Sequence, residues 1–481
     1  MTQNQPILDW SRTDWGKARR GLKSLDITPS TQCVTFVVLE QWFDSHATRL
    51  RGVLAEHTPR KFLSPSSKPW WSVSLSHLRK VFHSKARAHR KRPTPTLASE
   101  ARSAKSAYFG AVNRAKHSYW RQFLVGADHQ TVWKAKRLAG NRTPTRFPAL
   151  PGPTTPESTR DKLIEHFFPS QHQQMQNSVC PAYGDCPPVT KEEISWVLAW
   201  SSPSSAPGPN TIPYAVWKKL HLLHLTILPA LTGPLVARGY HPKSLKKAEG
   251  IVLDKLGKAD YDTLASYRLI VLLETLSKIV ERLIANRLAA QATELDLLHS
   301  NQCGSVAGVS AFHVVSSLKY EVVVAQKLRL KASTLFLDIK GGFDNIRPAA
   351  LTGYLRERDI SPYIVTWVRS FLSNRSCRLA FQGAPRSFTK VAVGTPQGSP
   401  ICPLLFVLYV APLHRGGHTQ NTFSFVDHFA LTSMATSHRR NVQVLQARYR
   451  TLARRASRLG LAFSVPKMEI IHWWTPKDRF P

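Results

Sequence analysis

Acidic residues are scarce in this chain. Asp and Glu number 30 in 481 residues against 66 Lys and Arg, a formal net charge of +36. A surface this one-sided calls for a polyanion opposite it, a nucleic acid before an anionic membrane. Cysteine is scarce too. Cys33, Cys180, Cys186, Cys303, Cys377 and Cys402 are scattered, with no C-x-x-C pair and no Cys/His spacing that suits zinc. That argues against a zinc module or a disulfide scaffold and leads us to expect a thiol-reduced, intracellular protein. Long apolar runs are missing: the longest apolar-rich stretch, 401–413, holds two prolines and falls short of the ~20 residues that cross a bilayer. No basic segment followed by an apolar one opens the chain, so no secretory leader and no membrane partner are expected.

What is present is enough to fold. A hydrophobic fraction of 42%, with 10% aromatic residues, excludes wholesale disorder, and the length suits two to four domains. The charge is unevenly placed. Residues 51–150 carry 21 Lys and Arg against 3 acids, half of the total excess, and 78–92 contain no acid at all. In the same region Tyr108, Val112, Ala115, Tyr119 and Phe123 recur at three and four residue steps, which predicts a helix with cations between its apolar positions. Intrahelical ion pairs cannot absorb so lopsided an excess, so residues 1–137 are read as a basic helical arm that meets phosphates. Residues 138–190 are dense in Pro, Gly, Ser and Thr and read as a linker.

Beyond the linker the texture is globular. Helices are predicted at 192–199, at 276–288, over 347–374, at 400–412 and around 442–459; strands at 334–338, 422–427 and 429–432; and a hairpin at 377–381 and 388–393. Two apolar strands end in a carboxylate, Asp338 and Asp427. Buried and unpaired, such a group is costly, so each Asp caps a turn, reaches water or holds a cation. The intervening elements allow the two to meet at one edge of an antiparallel sheet backed by helices. Two close carboxylates together with phosphate oxygens are what Mg²⁺ takes. Two such ions activate a hydroxyl and stabilise a leaving pyrophosphate. The turn Gly394-Thr-Pro-Gln-Gly-Ser-Pro400 stands at a strand-to-helix junction, where Gly398 lets the backbone approach a ligand.

Residues 189–474 resemble the reverse transcriptase of non-LTR (LINE-type) retrotransposons, in a style found in fungi. Phe336-Leu-Asp-Ile-Lys-Gly-Gly-Phe-Asp-Asn-Ile346 resembles the family's first catalytic motif, Gly394 to Pro400 its template-positioning motif, and Phe425-Val-Asp-His-Phe-Ala-Leu-Thr432 its metal-binding hairpin. Residues 459–470 resemble the following palm motif. Ala206-Pro-Gly-Pro-Asn210, Asp254-Lys-Leu-Gly-Lys258 and Ser266-Tyr-Arg-Leu-Ile270 resemble those of the fingers. Lys68-Pro-Trp-Trp71 resembles the segment joining the family's endonuclease to its polymerase.

The resemblance implies an α+β right-hand polymerase with fingers at 191–330, a palm at 331–475 and no thumb, in a truncated copy. It implies RNA-directed DNA synthesis with two Mg²⁺, or Mn²⁺, on an RNA template, with a DNA primer or target and deoxynucleoside triphosphates, in the nucleus. Carried over by position, Asp338, Asp427 and the carbonyl of Ile339 hold metal. Lys258 and Arg268 grip the triphosphate, and Phe343 stands under the sugar as a gate against ribonucleotides. Gln397 and Gly398 touch the template and incoming base, and Lys467 protonates pyrophosphate. A group II intron maturase shares the palm motifs, but the run ending Glu469-Ile-Ile-His-Trp-Trp474 argues against it.

The pattern is broken in places. His428 stands where the family has a second Asp, Leu269 and Val271 where it has Pro and Ser, and Gly342 where it has Ala. Cys303 and Ser305 stand where aromatic or basic residues are usual. A catalytically dead remnant that only binds nucleic acid is therefore the competing expectation.

Overall fold

Apolar residues at three and four residue steps form helices here, and runs of β-branched and aromatic residues form strands. The computed structural model describes residues 7–27, 35–61, 71–125, 150, 155–168, 183–203, 205–209, 211–255, 261–305, 308–380, 387–414 and 421–473. In chain order these residues contain β1 (Ile7–Leu8), α1 (Trp15–Lys23), α2 (Phe36–Glu56), β2 (Arg60–Lys61), α3 (Val73–Lys91), α4 (Pro95–Val125), α5 (Pro156–Phe167), α6 (Lys191–Ala199), α7 (Tyr214–Leu223) and α8 (Ile227–Ala237). There follow β3 (Lys247–Asp254), β4 (Tyr267–Leu272), α9 (Thr275–Glu294), β5 (Gln302–Cys303), α10 (Ala311–Lys327), β6 (Lys331–Asp338), α11 (Pro348–Glu357), α12 (Pro362–Leu372), β7 (Arg375–Ala380) and β8 (Thr389–Val391). The last are α13 (Cys402–Val410), β9 (Thr422–Phe425), β10 (His428–Ala435), α14 (His438–Arg458) and β11 (Glu469–Trp473).

The chain divides into two compact units, residues 1–12 with 58–145, and residues 13–57 with 146–481. This division differs from the boundary drawn on charge at residue 137, because α1 and α2 belong to the second unit. α2 is tied there by specific contacts: Arg51 pairs with Glu274 at 2.7 Å, Ser244 donates to Asp44, and Phe36 stacks on Tyr240 at 4.8 Å. In the first unit α3 and α4 form a helical hairpin. Its seam is aromatic, with Phe82 stacked on Tyr108 at 5.8 Å and Trp71 edge-on to Tyr108 at 6.4 Å. The expected period survives to the seam, where Val112 is buried, and opens at Tyr119, which is exposed. The outer surface carries Arg79, Lys80, Arg87, Arg90, Arg102, Lys105 and Arg114, all exposed.

The second unit contains two sheets. One has the order β11-β6-β10-β9-β5, antiparallel throughout except for the parallel edge pair β5–β9. The other has the order β4-β3-β7-β8. The expected 377–393 hairpin exists as β7–β8, but it belongs to this second sheet, where β7 lies parallel to β3 with Cys377 opposite Ala248.

The five-stranded sheet is covered on both faces rather than one. Side chains alternate along a strand. Ser333 and Ser433 point to α14, where Asn441 bonds both, and on that same face Phe429 stacks on His414, just beyond α13. The other face packs Ala332, Met434 and Trp473 against Val322 and Ala325 of α10. Asp338 and His428 have the parity of this second face.

Two buried basic side chains meet the C-terminal end of one helix in the second unit. Lys246 donates to the carbonyl of Ser370, and Arg375 to those of Leu372 and, at 2.8 Å, Val393. Ser370 and Leu372 lie in the last turn of α12, at the negative end of the helix dipole, and the Ser370 carbonyl also accepts the N–H and hydroxyl of Ser373. Burial pushes Lys246 down to about 7 and Arg375 down to about 10.

Candidate active site

β6 runs as an apolar strand and ends at Asp338, which is 8% exposed. Asp427 does not end a strand. It occupies the two-residue turn between β9 and β10, after Val426, whose φ of 56° places a β-branched residue in the left-handed region. Such a conformation costs about 1–3 kcal/mol and persists only where the surroundings impose it. Here the Val426 N–H bonds the Cys303 carbonyl at 3.1 Å, and the Asp427 carbonyl accepts the Ile339 N–H at 3.0 Å. The turn is thus pinned to β5 on one side and to the end of β6 on the other.

The β6–β10 register sets His428 directly opposite Asp338. Its Nδ1 is 3.2 Å from Asp338 Oδ1 and its Nε2 is 3.6 Å from Asp427 Oδ1. One ligand atom from each of Asp338, Asp427 and His428 lies within 4.8 Å of the others, so the three form a candidate cation site. Lys467 donates from Nζ to the second oxygen of Asp338 at 2.7 Å. Its place follows from the main chain, because Ser464 N–H bonds the Asp338 carbonyl at 2.8 Å and Lys340 N–H the Ala462 carbonyl at 2.8 Å. Two carboxylates and one imidazole suit a single divalent cation, with a preference for a metal that accepts nitrogen.

The turn at 394–400 is clamped from three sides. The Thr395 N–H and hydroxyl bond the Phe343 carbonyl at 2.8 and 3.2 Å, and Gly394 N–H bonds Ile346. Gln397 donates to Asp344 Oδ1 at 3.2 Å, while its carbonyl accepts the Val271 N–H at 2.8 Å. Gly398 adopts φ +124°, and a Cβ there would stand 2.6 Å from the Val271 carbonyl oxygen. From beneath, Ser399 donates to Glu281 of α9, which also accepts the Ser277 hydroxyl at 2.6 Å. Glu281 is fully buried, and burial raises its pKa.

The other expected residues lie as follows. Phe343 packs its ring on Phe406, centroids 5.0 Å apart, and is half-buried. Gly342 beside it is required by the same ring, since a Cβ would come 2.7 Å from Phe406. Ile339 is buried, with its N–H committed to Asp427. Arg268 is exposed on β4, opposite Leu253. Lys258 falls outside the described residues. The structure therefore joins Asp338, Asp427, Ile339 and Lys467 in one cluster. Phe343, Gln397 and Gly398 make a second group, linked to the first through the short segment after β6.

Two residues went unnoticed in the sequence. Asp344, whose pKa burial raises, anchors Gln397, and its signal was adjacency to Phe343. Glu281 interrupts the apolar stripe of α9 and had no signal beyond that. A cavity of about 40 Å³ touches Lys246, Arg375, Leu269, Val271, Asp344 and Gln397. It has room for a few waters rather than a nucleotide.

Residues 254–479 match the family described as reverse transcriptase (RNA-dependent DNA polymerase). The chain is 27% identical over 296 residues to the probable RNA-directed DNA polymerase from transposon X-element of Drosophila melanogaster, a match covering 58% of this chain and 32% of that one. It is 30% identical over 228 residues to the RNA-directed DNA polymerase from mobile element jockey of the same organism, covering 47% and 24%. It is 23% identical over 363 residues to the Pol polyprotein from type-1 retrotransposable element R1 of Bradysia coprophila, covering 72% and 35%. The chain thus spans about a quarter to a third of the length of these relatives.

Proposed function

We propose that this chain copies an RNA template into DNA, extending a DNA primer at Asp338 and Asp427, in the manner of the non-LTR retrotransposon enzymes it resembles; the match of residues 254–479 to the reverse transcriptase family and the likeness to the transposon polymerases support this reading. The observation that carries the reading is the meeting of Asp338, Asp427 and His428 at the open end of a sheet, with Lys467 beside them. Divalent cations, when bound by those carboxylates, would supply Lewis acidity to the primer hydroxyl and the triphosphate. The remaining work falls to the chain itself. Phe343 stands under the sugar, held by Phe406, and excludes a 2′-hydroxyl by its bulk. Gln397 and Gly398 present the clamped turn to the template and incoming base. Lys258 and Arg268 grip the triphosphate, Arg268 by its planar fork. Lys467 gives its proton to the leaving pyrophosphate, exchanging the Asp338 carboxylate for another anion. On this reading residues 191–330 are fingers, 331–475 palm, 138–190 a linker, and the basic hairpin of α3 and α4 an additional contact with nucleic acid.

His428 sets the metal preference. A nitrogen in place of a carboxylate oxygen removes negative charge and disfavours Mg²⁺ relative to Mn²⁺. Primer extension on an RNA template is the test. Weak extension with Mn²⁺ above Mg²⁺ is expected, with the order reversed in His428→Asp and activity abolished in Asp338→Ala. Extension by Asp338→Ala at the parent rate would overturn the assignment of the site. If neither the parent nor His428→Asp extends a primer with either metal, the polymerase reading fails for this chain and nucleic-acid binding alone remains.

A further inference from the structure

α14 is a helix of 21 residues without a single acid and without lysine. Its buried stripe, Asn441, Leu445, Leu452 and Ala456, packs on the sheet. Five exposed arginines lie away from that stripe: Arg439, Arg440, Arg450, Arg454 and Arg458. At 3.6 residues per turn they fall within an arc of about 100° and extend over roughly 30 Å. None of the five forms an ion pair among the described residues. Arg440 and Arg454 reach only Gln443 and Thr451, at 3.2 and 3.5 Å.

This arrangement is poor for the helix taken alone. Arg439 and Arg440 stand in the first turn, where the helix dipole favours acids. Arg450, Arg454 and Arg458 follow at four-residue steps, where like charges repel. The stripe also faces away from the reaction. α14 covers the sheet face that carries Ser333 and Ser433, whereas Asp338 and His428 have the opposite parity.

We propose that these five arginines form a second nucleic-acid surface, one that holds a phosphodiester backbone on the back of the sheet while the cleft side holds the reacting strands. Arginine rather than lysine suits it, because the planar fork takes a phosphate with two bonds. The inference rests on the polymerase reading only for the identity of the second face. Its test needs no polymerisation.

The experiment uses the full chain, without nucleotides or divalent metal, and measures affinity against salt for single-stranded RNA, duplex DNA and an RNA–DNA hybrid. One variant replaces Arg439, Arg440, Arg450, Arg454 and Arg458 with Gln. A control replaces Arg19, Arg20, Lys23, Lys319 and Lys327, also exposed, with Gln, so that the net charge lost is equal. Each phosphate contact contributes about 0.7–0.9 to the slope of log affinity against log salt. If each of the five holds one phosphate, the α14 variant should lose about 3.5 to 4.5 from that slope on at least one of the three ligands, and the control less than about 1. The ligand with the largest loss identifies the strand held. Equal losses in both variants would reduce the stripe to net charge, and no loss on any ligand would remove it; either outcome overturns the proposal. Because the readout is binding, it stands or falls separately from primer extension by Asp338→Ala and His428→Asp.

Discussion

Lys246 offers a perturbation whose size follows from the structure. The side chain is fully enclosed, its ammonium bonded to the last turn of α12, and burial lowers its pKa from 10.5 to about 7. Between those two values the unfolded chain holds a proton that the folded chain does not. Stability therefore rises with pH across that window, is least below pH 7, and stops gaining near 10.5. Each unit of difference is worth about 1.4 kcal/mol, so the gain from pH 7 to pH 9 is about 2 kcal/mol. Neighbouring titrations leave the window fairly clean. His414, held down to about 3 by burial, contributes its own rise between about 3 and 6.5 and is finished below neutrality. Cys377 and Cys402, pushed up to about 12, act in the opposite sense from about pH 9, where the unfolded thiols ionise. Urea midpoints at pH 7, 8 and 9, for the parent and Lys246→Met, measure the effect. The parent midpoint should climb and the variant midpoint should stay nearly level, whatever the absolute stability of the variant. Parallel slopes would refute the reasoning, because they would mean that the folded chain keeps the Lys246 proton across this window despite its burial.

Three further outcomes follow from the same geometry. Phe343→Ala should admit ribonucleotides, read as the ratio of ribo- to deoxynucleotide incorporation in a background with measurable extension; an unchanged ratio would make Phe343 a packing residue of Phe406 and nothing more. Gly398→Ala forces a side chain to φ +124° against the Val271 carbonyl, a strain of about 1–3 kcal/mol, and should weaken the Val271–Gln397 bond; a melting temperature lowered by several degrees is expected, and an unshifted one would show that the turn relaxes freely. A fragment holding the α3–α4 hairpin should bind RNA or DNA with little sequence preference and lose affinity steeply as salt rises, and a flat salt response would sink the arm.

Much of the site was legible because its signals are local. The run into Asp338, Leu335-Phe-Leu337, is short and apolar, and β9 and β10 are separated by two residues, so strand, turn and strand announce themselves. The clamped turn was equally plain from two glycines and two prolines. What escaped depends on pairings between distant segments. Nothing in Arg375–Ala380 says that it lies parallel to β3 rather than beside the strand of Asp338. Lys246 sits in Lys243-Ser-Leu-Lys-Lys247, which reads as surface, and only the packing of α12 above it makes it interior. Glu281 has the same character: a carboxylate in an apolar stripe is unremarkable until Ser399 arrives from the other side.

His428 is where local and distant information meet. The sequence marks it as the residue after Asp427, which leaves open whether it faces the site or the sheet's far side. The register decides. With His428 opposite Asp338, side-chain alternation gives residues 428 and 338 the same face, so any residue at 428 is part of the cluster. A one-residue slip would have turned His428 away and brought Phe429 forward, and that slip is opposed by Phe429, Leu431 and Ser433, which are all buried on the α14 side. The core that fixes the strand therefore also commits the imidazole to the carboxylates. An Asp at 428 would meet Asp338 at that same short range, with two negative charges to be balanced by Lys467 and by cations. With His428 that repulsion is absent, and the cluster has less demand for a second cation. The same packing that makes the hairpin stable thus lowers the site's call on metal, and this is why the order of Mn²⁺ and Mg²⁺ in primer extension reports directly on residue 428.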